Sequence, residues 1–333
     1  MRAAVHTRFG PPDVVRVTER PVPVPRPDDV LIKVHATTVT SAECAMRRGE
    51  PAWGRVILGL RRPRRRLRTL GLEVAGVVES VGSGVSRFGP GDEVFGFTGF
   101  AVGAHAEYVR VPASGSLAPK PAALTFAESA AAVDGATTAL FFLHHKLSVR
   151  AGQRVLVNGA SGSIGTYAVQ LAKHFGAEVV GVCGPANVEL VRSLGADEVI
   201  DYTERDFTAD RSRYDVVFDT VAKSSFRKAR GSLRPGGKYV PTTGLSNNLW
   251  ALWTAVRGGP KVVVGMSVDK STTLPVVKEL VEAGVLRVVV DRTYPLERIA
   301  EAYRYVDTGR KRGNVVIAVV DPVDPSRDAL TPP

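Results

Sequence analysis

The residues Arg154 to Gly165 read RVLVNGASGSIG. Alternate apolar residues in Arg154 to Val157 give way to Asn158, Gly159 and Ala160. Gly162 and Gly165 follow, and Thr166 to Phe175 carries the apolar spacing of an amphipathic helix. The order is strand, glycine turn, helix. Such a turn offers backbone N–H groups and a helix N-terminus to an anion, and its glycines let a pyrophosphate approach the backbone. The spacing A-x-G-x-x-G departs from the usual G-x-G-x-x-G at Ala160. A lone glycine pattern can simply pack a helix on a strand. Here a second strand at Glu178 to Cys183 completes a βαβ unit, and the chemistry indicated is dinucleotide binding. Ala160, Ser161, Gly162, Ser163, Ile164 and Gly165 are the expected pyrophosphate contacts.

The end of that second strand bears on which dinucleotide. A site for NAD places an Asp or Glu there to accept from the ribose 2′-hydroxyl. This chain has Val182-Cys183-Gly184-Pro185, with no carboxylate, so a 2′-phosphate meets no repulsion. NADPH is the expected cofactor. Cys183, Gly184 and Tyr202 are expected at the adenosine end, with Tyr202 and the Arg310-Lys311-Arg312 cluster as candidate phosphate partners. No Lys-Ser or Lys-Thr follows the glycines, which excludes a P-loop.

Other chemistry-bearing residues are sparse. Only Cys44 and Cys183 are present, too few for a disulfide framework or a four-cysteine metal lobe, and suited to a reducing compartment. Of the six histidines, His105 lies in a strand pattern, while His144 and His145 suit an exposed helix end. Between Arg47 and Arg68 there are nine arginines and one acid, a local charge of +8 out of +11 for the chain. This is one basic element, not a generally basic protein. Its Arg61 to Arg68 stretch is read as a solvated loop in preference to a flap over the cleft that attracts anionic groups.

Stepping outward, 333 residues with 44% hydrophobic and 23% charged content suit a two-domain globular protein. MRAAVHTRFG lacks the apolar core of a signal peptide and no run reaches membrane-spanning length, so a cytoplasmic protein without a membrane partner is expected. The first third has short apolar runs at Val30 to Val34, Val74 to Val81, Glu93 to Phe97 and Ala106 to Val111, separated by glycine turns. Pro21, Pro23, Pro25 and Pro27 make an extended edge. This part reads as a small, partly open β-barrel. From Thr125 to Lys146 the pattern is that of one long helix. Strands near Val155, Val179, Val199 and Val216 then alternate with helices near Gln170, Leu190 and Phe226, which predicts a doubly wound parallel sheet. Further strands are expected at Lys238 to Thr242, Lys261 to Met266 and Asn314 to Val320. Helices are expected at Leu274 to Ala283 and Pro295 to Tyr305.

Gly71-Leu72-Glu73-Val74-Ala75-Gly76-Val77-Val78, then Gly91-Asp92-Glu93-Val94, then NGASGSIG, in that order and spacing, resemble the medium-chain dehydrogenase/reductase superfamily. The resemblance spans about Met1 to Val320 and is nearest to the zinc-independent, quinone-oxidoreductase-like branch. It implies an α/β fold: a GroES-like β domain over 1–124, a Rossmann domain over 125–267, and a return segment over 268–333. It also implies an active site in a cleft between domains. A short-chain dehydrogenase is excluded, because the turn sits mid-chain and no tyrosine has a lysine four residues on.

The positions matching the zinc ligands of metal-bearing members are Thr40, Leu72 and Asp134, which cannot form the N/S site zinc prefers. No metal is expected. Glu73 and Asp92 are assigned to packing and hydrogen bonding. The resemblance places Thr138 near the nicotinamide ribose and Gly244 and Met266 at strand ends facing the nicotinamide ring. His105 falls on a strand that the family sets near the cleft, and is a candidate to touch substrate. Relatives often carry a tyrosine in the segment matching Ala42 to Arg47, where this chain has Cys44, Ala45 and Met46. Backbone N–H groups, together with the Thr40 hydroxyl, are the candidate donors to a substrate oxygen, with the final proton from water.

The function expected is NADPH-dependent hydride transfer to a quinone, enone or related activated carbonyl, with a small-molecule substrate. The sequence leaves the oligomeric state open, and the resemblance implies a homodimer through the Rossmann sheet edge as one arrangement. An NAD(P)-dependent alcohol or carbonyl dehydrogenase is the alternative within enzymes. A polyanion-binding protein using the 47–68 segment is the alternative from another class. Beyond Trp53 that segment has no interleaved aromatics, which disfavours nucleic acid.

Overall fold

The computed structural model describes residues 1–242 and 246–320, apart from the side chains of Phe100 and Ser246. The chain forms two compact units. One comprises Met1–Val133 together with the chain from Val290 onward; the other is Asp134–Val289.

The first unit is built on strands β1 (Arg2–His6), β2 (Val15–Glu19), β3 (Asp29–Thr38), β4 (Glu73–Val81), β5 (Glu93–Phe97), β6 (Tyr108–Pro112) and β7 (Ser116–Pro119). β14 (Val290–Pro295) and β15 (Asn314–Ala318) join them from the end of the chain. The main sheet runs β14-β15-β3-β4-β5-β7, with β6 also paired to β3, and β1 and β2 form a separate hairpin pair. Its core gathers Val30, Ile32, Val34, Val74, Val94, Val315 and Ile317, all fully buried. Helices α1 (Ser41–Arg48), α2 (Arg55–Leu58), α3 (Phe126–Ala131) and α10 (Ile299–Asp307) belong to this unit.

The second unit carries a parallel sheet of β8 (Arg154–Asn158), β9 (Glu178–Cys183), β10 (Glu198–Asp201), β11 (Tyr214–Asp219), β12 (Leu233–Pro241) and β13 (Lys261–Val262). Its order is β10-β9-β8-β11-β12-β13. The order therefore reverses between β8 and β11, and in open α/β sheets ligands bind beyond the carboxyl ends at such a reversal. Helices α4 (Asp134–Leu140), α5 (Ser163–His174), α6 (Val188–Ser193), α7 (Phe226–Ala229), α8 (Ser246–Val256) and α9 (Thr273–Glu282) complete it. Among the described residues no helix is long and apolar enough to cross a membrane.

Several expectations need correction. The units divide at Val133/Asp134 and Val289/Val290. The sequence placed the first division after residue 124 and the second after 267. α3 packs on β3, β4 and β15, so the chain leaves the β unit nine residues later than expected. α9 buries Leu274, Val277 and Val281 and packs on α4, which keeps it in the parallel-sheet unit. The single helix expected over Thr125 to Lys146 is interrupted. α3 ends at Ala131, α4 starts at Asp134, and Phe141–Lys146 takes wider π-helical turns. Just after the break α4 packs closely on α5, since a Cβ on Gly135 would meet Ser163 Oγ at 2.7 Å. The strand expected over Lys261 to Met266 is only Lys261–Val262, and α8 had no counterpart in the sequence pattern.

Candidate functional site

β8 delivers the chain to the glycine turn with Val155, Leu156 and Val157 fully buried. At Gly159 φ is 81°, a left-handed conformation, and a Cβ there would meet Val221 Cγ1 at 2.4 Å. The N–H groups of Gly159 and Ala160 donate to Val182 O of β9 at 3.0 and 2.9 Å, which pins the turn over the neighbouring strand. Gly162 then sits at the N-cap of α5 in extended conformation with no side-chain cap. A Cβ on Gly165 would lie 2.1 Å from Gly159 O, so the first turn of the helix rests directly on the turn's backbone. A helix cannot satisfy the N–H groups of its own first turn. Here they open on a cradle that only glycine leaves accessible, and this suits a pyrophosphate.

The other expected contacts gather at the same strand ends. Cys183 ends β9, 2% exposed, and burial followed by the nearby Asp201 carboxylate pushes its thiol up to about 11. Tyr202 follows β10, with its N–H donating to Cys183 O at 3.1 Å. Its hydroxyl lies 3.0 Å from where a Gly184 Cβ would stand, and its ring is exposed. Ser161 is buried and accepts from Asn187 Nδ2 at 3.2 Å. No carboxylate stands at residues 182–185. Gly244 lies outside the described residues.

Thr138 is on α4, with its Oγ1 3.3 Å from Asp134 Oδ1. Sequence reasoning missed what holds it. Lys270, wholly buried, brings its Nζ to 2.8 Å from Asp134 Oδ1, 3.0 Å from Thr137 Oγ1 and 3.4 Å from Thr138 Oγ1. The same Nζ donates to Ser267 Oγ at 3.4 Å, which draws the segment bearing exposed Met266 towards Thr138. Nothing in the local pattern marks Lys270, because Asp134, Thr137 and Thr138 are more than a hundred residues away.

Asp219 was missed too. It is fully buried at the end of β11, opposite Asn158 in the β8 register. Oδ1 accepts from Asn158 Nδ2 at 2.9 Å, and Oδ2 accepts from Ser224 N and Tyr239 Oη, both at 3.0 Å. Burial and this carboxylate push the Tyr239 phenol well above its ordinary range. Asp219 thus braces the strand end on which the glycine turn stands.

The two catalytic candidates fare differently from the turn. His105 is 1% exposed, and its Nε2 lies 2.8 Å from Thr38 O. A carbonyl only accepts, so Nε2 carries the proton, and Nδ1 accepts from Tyr303 Oη at 3.4 Å. The expected contact with substrate is corrected: His105 is a fully engaged core residue. Thr40 caps α1. Its Oγ1 accepts from Glu43 N at 3.2 Å and donates its one proton to Glu43 Oε2 at 2.9 Å. The hydroxyl expected to serve a substrate oxygen is committed to a capping box. Glu43, itself wholly buried, also accepts from Thr40 N at 2.7 Å and Leu72 N at 2.8 Å.

In the Arg61 to Arg68 stretch read as solvated, Arg61, Arg62, Arg64, Arg65 and Arg66 are exposed and Arg68 is half-buried. Arg47, ahead of that stretch, is enclosed. It is fully buried, ion-paired with Asp307 at 2.5 Å and stacked over Tyr303 at 5.3 Å. Arg310, Lys311 and Arg312, proposed for the 2′-phosphate, fall in the β unit. Lys311 Nζ donates to Gly313 O, and Arg312 faces Asp291. His144 and His145 are exposed at a helix end, as expected.

The residues at the zinc-ligand positions do not suit a metal. Thr40 is a helix cap, Leu72 offers only an alkyl chain, and the Asp134 carboxylate is held by the Lys270 ammonium.

Residues 26–122 match the alcohol dehydrogenase GroES-like domain family, and residues 194–317 match the zinc-binding dehydrogenase family. The chain is 32% identical to the mitochondrial NAD(P)H oxidoreductase RTN4IP1 of Mus musculus, over 96% of this chain and 89% of that one. It is 32% identical to the chloroplastic NADPH-dependent alkenal/one oxidoreductase of Arabidopsis thaliana, over 95% of this chain and 79% of that protein. The quinone oxidoreductase structure from Coxiella burnetii superposes with a TM-score of 0.87 at 27% identity, covering 96% of this chain and 99% of that one.

Proposed function

From the premise that this chain belongs to the medium-chain dehydrogenase/reductase superfamily, in its quinone-oxidoreductase-like branch, we propose that it is an NADPH-dependent reductase of quinones, enones or related activated carbonyls. The observation that carries the reading is the glycine cradle at the sheet reversal, ending at β9 without a carboxylate. Ser163, Ile164 and Gly165 hold the pyrophosphate on the first turn of α5. Cys183, Gly184 and Tyr202 flank the adenosine ribose, where the end of β9 itself sets no carboxylate against a 2′-phosphate. Lys270 fixes Thr138 beside the nicotinamide ribose. The bound nicotinamide supplies a hydride.

The substrate class follows from what the chain lacks. Thr40, Leu72 and Asp134 cannot assemble a Lewis acid site, so an unactivated ketone or alcohol receives little polarisation. A conjugated acceptor spreads negative charge onto an oxygen that a few hydrogen-bond donors can stabilise. Backbone N–H groups suit that task, since the Thr40 proton is already donated to Glu43. Water supplies the last proton.

The test is steady-state kinetics with a quinone, an enone and a secondary alcohol, each with NADPH and NADH, with and without chelator. NADPH is expected to exceed NADH by about tenfold or more in kcat/KM, with reduction insensitive to chelator. Equal efficiencies would remove the argument from the missing acid. Alcohol oxidation that disappears with chelator and returns with zinc would overturn the reading.

A further inference from the structure

The arginine-rich segment is left unexplained by the reductase. From Trp53 to Arg66 it contains six arginines and no acid. It is built rather than loose. Gly59 N donates to Arg55 O at 2.7 Å, Arg64 N to Leu58 O at 2.9 Å, and Leu67 N to Arg64 O at 2.8 Å. Gly59, at φ 124°, has room for no side chain, because a Cβ would meet Arg62 O at 2.1 Å. Arg55 stacks over Phe9 at 5.3 Å and donates to Gly49 O at 3.0 Å. Leu58, Pro63 and Leu67 line the segment's inner side together with Met46 and Leu70.

The outward side combines two kinds of residue. Trp53, Val56, Ile57 and Leu60 are 57%, 64%, 59% and 72% exposed. Arg61, Arg62, Arg64, Arg65 and Arg66 are exposed beside them, and among the described residues no carboxylate lies within ion-pair distance of any of the five. Four large apolar side chains in water, in one short segment with five unneutralised guanidinium groups, match the chemistry of a lipid interface. Apolar tips enter the acyl boundary while arginines meet the phosphates.

We propose that residues 53–66 form a docking surface for an anionic phospholipid bilayer. Charge complementarity selects this occupant. A second copy of the chain would bring five like charges against five. A nucleic acid would satisfy the arginines but leave three aliphatic side chains against phosphate and water. The sequence expectation of no membrane partner rested on the want of a spanning segment. It did not see which side chains the fold turns outward.

The test is co-flotation of the full chain with phosphatidylcholine vesicles, with or without about 30 mol% phosphatidylserine, at about 0.05 M and about 0.5 M salt. Binding is expected to the anionic vesicles at low salt and to fall strongly at high salt. The triple variant Arg64→Ser, Arg65→Ser, Arg66→Ser should weaken it on the order of a hundredfold, at about fivefold per arginine. Ile57→Ser with Leu60→Ser should weaken it by about tenfold or more. Both variants should oxidise NADPH with a water-soluble quinone at the parent rate. Leu60→Ser alone, outside α2, serves if the pair disturbs folding. The proposal fails if anionic vesicles bind no better than neutral ones. It fails equally if the apolar variants float undiminished and a random oligonucleotide displaces the vesicles, which would identify a nucleic-acid surface. Concentration-dependent self-association abolished by the Ile57 and Leu60 changes would identify a second copy and also overturn it.

Discussion

The glycine turn of the parallel-sheet unit and the buried polar cluster of the β unit are both closely packed, but they are made of different material. The turn is backbone. Its contacts are N–H groups, carbonyls and the space left where side chains are missing, mostly within Asn158 to Thr166, with Val182 O of the paired strand and the Val221 side chain closing it from outside that span. The cluster is side chain. Glu43, Arg47, His105 and Tyr303 are each at most 1% exposed and come from α1, a segment near residue 105, and α10. Glu43 gathers three N–H or O–H donors, His105 links Thr38 to Tyr303, and Arg47 covers the tyrosine ring. Burial pushes the Tyr303 phenol well above its ordinary range, with the charges of Glu43 and Cys44 adding to it. A motif made of backbone depends on local spacing. A network made of ionisable side chains depends on contacts between residues as much as 260 positions apart.

The sharpest way to break the comparison is to put a side chain into the turn. Gly165→Val sets its Cβ against Gly159 O at 2.1 Å and Ala160 Cα at 2.8 Å, so the helix must move off the turn. NADPH affinity should fall on the order of a hundredfold, about 2.7 kcal/mol, measured by fluorescence titration. Gly162→Ala is the control: its Cβ would meet only Gly159 O, at 3.3 Å, and affinity should change by less than about threefold. Equal losses would mean that the site depends on glycine flexibility and not on the close approach at 165.

The same contrast explains what could be read beforehand. The turn, β8 to β11 and the βαβ order were legible because spacing of apolar residues and glycines is a local record of them. The long helix expected from Thr125 is split between α3, which packs on the β unit, and α4, which packs on α5, and no periodicity reports that the two halves belong to different units. His105 looked available because a histidine in a strand has no visible partner in sequence; Thr38 and Tyr303 supply them only in three dimensions. Lys270 and Asp219 were invisible for the same reason. Arg47 belongs by sequence to the same arginine run as the exposed residues 61–66, and only Asp307 and Tyr303, far along the chain, set it apart by enclosing it.

If the β unit is held by ionisable groups, it should respond to acid where the turn does not. His6 is 3% exposed and its Nδ1 lies 2.9 Å from Arg68 O. Burial lowers its pKa from 6.5 to about 4, against the hydrogen bond to Arg68, and the Arg47 and Arg68 charges act in the same direction as burial. Burial lowers His35 as well. Between about pH 6.5 and pH 4 the unfolded chain therefore holds the proton that folded His6 refuses, so stability rises with pH. The contribution is complete above pH 6.5 and lost as pH falls towards 4, amounting to about 3 kcal/mol for His6. Urea unfolding followed at several pH values should show this slope, and His6→Gln should flatten it. A slope unchanged by His6→Gln would assign the acid sensitivity to other groups.

The smallest expected effect tests the residue on which the two regions were most easily confused. Thr40 was first a candidate donor to substrate, but its Oγ1 both accepts from Glu43 N and donates to Glu43 Oε2. Thr40→Val keeps the shape and removes the cap, which should destabilise the protein by about 1 kcal/mol. It also leaves buried Glu43 with one donor fewer, although Thr40 N and Leu72 N remain. Thr40→Ser should restore the stability. Since the hydroxyl proton already belongs to Glu43, kcat for an enone should change by less than about threefold in the valine variant at a temperature well below its melting point. The two readouts separate the roles. A capping role lowers Tm and spares kcat. A substrate-donor role lowers kcat by tenfold or more (about 1.4 kcal/mol) with serine rescuing the rate, and that result would return Thr40 to the catalytic machinery.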